Sequence, residues 1–114
     1  MLDKVIKDVM KFDDDHGLME ENKPTYENLF YTALCLVGES GEVANDVKKI
    51  WRDGDSQELR DNLSTEIVDV LIYLAKLIVI LDIDIEDYWD AKHEELYEKW
   101  DKKITTLRAV KLSK

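Results

Sequence analysis

Val37-Gly38-Glu39-Ser40-Gly41-Glu42 and, further along, Glu66-Ile67-Val68-Asp69 decide how this chain is read. Each stretch carries two carboxylates three residues apart, which puts both on one face of an α-helix, one turn from each other. With 23 residues between Glu42 and Glu66, two antiparallel helices would bring the pairs together around a metal ion. Apolar residues embed both pairs: Val37 and Val43 flank the first, and Ile67, Val68 and Val70 surround the second. An unpaired charge on such a face costs several kcal/mol, which a bound cation would offset. Acidic pairs also arise by chance in a chain with 26 Asp and Glu, and Glu20, Glu21, Glu94 and Glu95 read as solvated.

The helix carrying the first pair begins after Pro24, with Thr25 as its N-cap, and runs to about Trp51 or Arg52. Leu29, Ala33, Leu36, Val43, Val47 and Ile50 line its buried side. Gly38 and Gly41 lie inside it, each costing about 1 kcal/mol relative to Ala. That cost beside two glutamates implies that a ligand or a neighbouring helix approaches the backbone there.

Asp53-Gly54-Asp55-Ser56 reads as a turn, and Asp55 with Glu58 has capping-box spacing for the third helix. From Ile67 to Leu81 that helix is apolar on every side, the pattern of a helix buried all round. A chain this short can hardly enclose it, so a second subunit is expected to cover part of it. The β-branched content leaves a buried strand as an alternative for part of the run.

Outward from this pair, Leu2, Val5, Ile6 and Val9 predict a first amphipathic helix, ended by Gly17. Residues 18–23 read as a loop. Asp84 is an N-cap for a fourth helix to about Lys103, with Ile85, Trp89, Leu96 and Trp100 as its core seam. The tail 104–114 is expected to be weakly ordered. No internal repeat or second domain is visible. Residues 1–114 therefore read as a single all-α domain, a four- to five-helix bundle that completes its core in an oligomer.

Of the 114 residues, 45% are hydrophobic, which excludes disorder by composition. The formal net charge of −10 argues against a large nucleic-acid footprint, though not against a nucleotide, because a divalent cation inverts the local field. Cys35 is the only cysteine, so neither an intrachain disulfide nor a cysteine-type zinc site can form. No signal peptide is visible, and the longest apolar run, Val70 to Leu81, is shorter than the about 20 residues a bilayer needs. A cytoplasmic location, away from membranes, is expected.

Gly38-Glu39-Ser40-Gly41-Glu42-Val43-Ala44, Lys48-Lys49 and Glu66-Ile67-Val68-Asp69-Val70-Leu71-Ile72-Tyr73-Leu74 together resemble the MazG-like nucleotide pyrophosphohydrolases of the all-α NTP pyrophosphatase superfamily. The resemblance extends from about Ala33 to Trp100 and includes the Asp84 helix start. It implies hydrolysis of nucleoside triphosphates, often deoxynucleotides, to the monophosphate and pyrophosphate, in housekeeping of the nucleotide pool. It also implies Mg²⁺, with Mn²⁺ as a substitute, held by Glu39, Glu42, Glu66 and Asp69. The all-round apolar third helix makes a homodimer or homotetramer the expected assembly. Lys92 and Lys99 fall where the family carries substrate contacts. Leu96 departs from the Asn of several relatives, which leaves a non-catalytic nucleotide- or protein-binding module as the alternative function.

Lys48, Lys49, Trp51 and Lys76 are further candidates for substrate contact. Each has a plainer reading: a basic helix end complements the macrodipole, a tryptophan packs, a lysine snorkels. Asp46 is a candidate extra ligand or a solvated residue, and Tyr73 a ligand-orienting or core residue. His16 and His93 match no metal spacing. A di-iron bundle ranks low, because Glu-x-x-His is absent.

Overall fold

In the computed structural model, which describes residues 1–112, the chain is helical throughout. It has four α-helices, with no strand among the described residues: α1 (Leu2–Asp15), α2 (Tyr26–Asp53), α3 (Gln57–Leu81) and α4 (Ile85–Leu112). A short 3₁₀ helix, Met19–Asn22, replaces the loop expected at 18–23. Residues Met1–Ile83 pack as one compact unit, and the residues from Asp84 onward form another.

The local signals act largely as expected. Gly17 adopts φ +71° just past α1, where an L side chain would be strained. Lys23, held out of helical geometry by Pro24, is extended. The Thr25 hydroxyl then caps α2 by accepting the Asn28 N–H at 3.1 Å. At the next turn the cap is Ser56, not Asp55: its hydroxyl accepts the Leu59 N–H at 3.2 Å, while Asp55 takes Arg60 at 2.6 Å.

The three-residue link Gly54–Ser56 folds α3 back antiparallel along α2. α3 is the hub of the first unit, contacted by α2, α1 and the 3₁₀ helix. Its all-round apolar character is thus met in part by the chain itself. Ala75 and Ile80 are buried, whereas Ile67, Val68, Leu74 and Leu81 remain exposed. On α2, Val47 is exposed rather than buried. Among the described residues nothing outside the helix's own backbone approaches Gly38 or Gly41: a Cβ at either would meet no neighbour within 4 Å.

α1 is fixed to α3 by a buried ionic group. Asp13 continues the Val5–Val9 face of α1 one turn on and is only 2% exposed. Its Oδ2 lies 3.0 Å from Lys76 Nζ and accepts the Asn22 amide at 2.8 Å. Lys76, 8% exposed, also donates to Glu21 at 3.3 Å. Burial alone would lower the Lys76 pKa, but hydrogen bonds and charge from Asp13 and Glu21 hold it above its ordinary value. Glu21 is therefore half-buried and paired, not merely solvated.

In the second unit, α4 runs to Leu112, well beyond Lys103, so residues 104–112 are helical; residues 113 and 114 of the expected loose tail lie outside the described residues. Its expected seam is not buried: Trp89, Leu96 and Trp100 are exposed. Trp89 instead stacks on His93, which meets Tyr97 edge-on, and Lys103 lies over the Trp100 ring at 4.5 Å.

Candidate metal centre

The antiparallel run of α2 along α3 brings Glu39 opposite Glu66 and Asp69. One carboxylate oxygen from each lies within 4.8 Å of the other two, and all three side chains are half-buried. Glu42 is exposed and outside this group, one turn further along α2.

The trio is electrostatically crowded. The Glu66 carboxyl is held above its ordinary range, first by desolvation, then by a proton it can share with Glu39 and by the charges of Glu39, Asp69 and Asp46. Asp46 is 6% exposed, and one of its carboxylate oxygens is buried without a hydrogen-bond partner. Its other oxygen lies 3.8 Å from Lys49. Burial on the same α2 stripe as Glu39 makes Asp46 part of this negative region, not a solvated residue.

Three hard oxygen donors with mutually repelling charges suit a divalent cation such as Mg²⁺ or Mn²⁺, which would relieve the repulsion. The residues present fit such an ion.

Beside the trio opens a cavity of about 680 Å³, within the range of small-molecule sites. Glu39 and Asp69 form part of its lining. Val9 and Phe12 of α1 and Ile72 of α3 supply apolar wall, and Tyr31 and Tyr73 supply aromatic wall. Burial, then Cys35, raise the Tyr73 pKa, so its hydroxyl stays a neutral donor.

The other residues singled out from sequence are dispersed. Lys48 is exposed, and Trp51 is 89% exposed rather than packed. Lys76 lines the cavity but is engaged by Asp13 and Glu21. Lys92 and Lys99 are exposed on α4, Lys92 3.4 Å from Glu95. Asp13, Glu21 and the α1 wall were not anticipated. Their signal was a charge continuing the apolar face of α1 and a lysine inside the apolar α3.

Residues 28–102 match the MazG nucleotide pyrophosphohydrolase domain. The chain belongs to this family. The matched region carries all four expected carboxylates. Gene 37 protein of Mycobacterium phage L5 is 52% identical over 60 residues, a name that carries no activity. The alignment covers 50% of this chain and 53% of that protein, so the chain spans about half the length of this relative. Among the described residues, no helix is long and apolar enough to cross a membrane.

The raised Glu66 pKa sets a direction for stability. An unfolded Glu ionises near about 4.3, and Glu66 in the fold ionises higher, so the folded state holds the extra proton. Its contribution turns unfavourable as pH rises from the unfolded value through the raised one, and vanishes below both. Glu66→Gln is therefore expected to raise the Tm of the metal-free protein at about pH 7.5 and to leave it unchanged well below about pH 4. Differential scanning fluorimetry reads this, and a lower Tm for the variant at neutral pH would contradict it.

Proposed function

We propose that this chain hydrolyses nucleoside triphosphates, deoxynucleotides included, to the monophosphate and pyrophosphate with Mg²⁺ bound. The observation that carries this reading is a carboxylate trio, two of whose members line a nucleotide-sized cavity, in a MazG-family chain.

Glu39, Glu66 and Asp69 would hold the ion, with the exposed Glu42, one turn along α2, as the proposed fourth carboxylate. The ion, when bound, neutralises phosphate charge and lowers the pKa of a water. In the reaction, water oxygen bonds to the α-phosphorus, the α–β bridging P–O bond breaks, and pyrophosphate leaves. A carboxylate of the group accepts the proton from water. Partial burial limits competing solvent and strengthens the local field. Lys48, Lys92 and Lys99, exposed in the chain, are proposed phosphate contacts; Lys49 lies against Asp46.

Substrate turnover is expected to need added Mg²⁺ or Mn²⁺ and to yield pyrophosphate with no single-phosphate release. Glu39→Gln should lower kcat/KM at least about a hundredfold. Chromatographic separation of the products checks both. Absence of turnover across all ribo- and deoxyribonucleoside triphosphates would contradict the reaction.

The chain is further proposed to be a homo-oligomer in the cytoplasm. Phe30, Leu34 and Val37 on α2 and Ile67, Leu74 and Leu81 on α3 are apolar and exposed in the single chain, an area that a second copy would cover. Light scattering at micromolar concentration is expected to give a dimer or tetramer mass, and a mass of 13.4 kDa would contradict it.

A further inference from the structure

We propose that Asp13, Lys76 and Glu21 form a base-reading group that favours nucleobases carrying an exocyclic amino group. The proposal rests on the nucleotide reading above and names the part of the nucleotide that this end of the cavity receives.

The cavity that touches Glu39 and Asp69 also has Asp13, Glu21 and Lys76 in its lining. A triphosphate drawn to the carboxylate trio and its cation leaves the rest of the cavity to the nucleoside. Phe12, Tyr31 and Ile72 offer flat or apolar surface for the faces of a base. Away from Glu39 and Asp69, the charged atoms available to meet its edge are those of the ionic group and Asp8, beside the Tyr31 and Tyr73 hydroxyls.

Its charge does not balance. One carboxylate neutralises one ammonium, and Asp13 alone would anchor Lys76. Glu21, 3.3 Å from the same ammonium, makes the group net negative toward the cavity. Asp13 and Lys76 are more than nine-tenths buried, and the Asn22 amide holds Asp13 in place, so the group is preorganised. Two carboxylates present mainly acceptors, while Lys76 has a third N–H beyond its two partners.

Cytosine and adenine place an amino donor beside a ring-nitrogen acceptor, complementary to a carboxylate next to an ammonium. Guanine places two adjacent donors beside a carbonyl. Thymine and uracil place one N–H between two carbonyls, and those carbonyls would face carboxylate oxygens. Asp13 and Glu21 precede residue 28, outside the family match, so the N-terminal segment supplies both carboxylates of the group and the matched region supplies Lys76.

Calorimetric titration of the intact protein with the four deoxynucleoside monophosphates, with Mg²⁺ present, tests this. The monophosphates of cytosine, adenine and guanine are expected to bind at least about tenfold tighter than thymidine monophosphate. Glu21→Gln, at a half-exposed position that tolerates the change, and Asp13→Asn, with its fold checked by circular dichroism, should each shrink that ratio. Thymidine monophosphate binding as tightly as the others, a ratio unchanged in the folded variants, or no binding of any monophosphate would overturn the proposal. Pyrophosphate release is scored separately on the same preparations. A silent enzyme that still prefers amino-bearing bases would refute the reaction and leave the base-reading group standing.

Discussion

Carboxylates held side by side on facing helices repel one another, and the first unit of this protein is arranged around that constraint. Glu39, Glu66 and Asp69 converge because α2 and α3 run antiparallel through a three-residue link. Desolvation first, and then the neighbouring Glu39, Asp69 and Asp46, hold the Glu66 carboxyl above its ordinary range in the metal-free chain. Asp46 is itself buried with an oxygen that has no partner. A fold that keeps such a group in place stores affinity for a cation, since each repulsion removed on binding adds to the attraction. The same helix pair supplies part of the cavity wall.

The opposite arrangement holds α1 to the hub. Asp13 and Lys76 are attractive charges in a buried place, and each would be costly without the other. Glu21 and Asn22 draw the 3₁₀ helix into the same group. The short helix that looks like a connector is thus part of the cavity. Repulsion on one side of the cavity and attraction on the other give it two chemically distinct ends.

Much of this was legible in the sequence where the cause is local. The Thr25 cap, the Gly17 stop and the helical spacing of Glu39, Glu66 and Asp69 all act within a few residues. The errors follow from causes that are not local. Asp13 and Glu21 meet Lys76 only through the tertiary fold; Asp13 on the apolar face of α1 and Lys76 inside apolar α3 stand out in the sequence, but nothing local says that they pair. Asp55 and Ser56 are both good caps one residue apart, and the choice falls to Ser56 because Arg60 engages Asp55. Residues 104–112 mix Thr, Arg and Lys with Ile104, Leu107, Ala109, Val110 and Leu112 and hold no Gly or Pro, so a helix-compatible stretch was mistaken for a loose tail. The glycines at 38 and 41 suggested a close approach that the chain itself does not make.

The central claim is that α2 and α3 together build one cation seat from Glu39, Glu66 and Asp69. Titrating metal-free protein with Mn²⁺ and following the free ion by electron paramagnetic resonance tests it most directly. One saturable ion per chain is expected, with binding weakened at least about tenfold by Asp69→Asn. Saturable binding that is indifferent to Asp69→Asn, or no binding at all, would contradict the account.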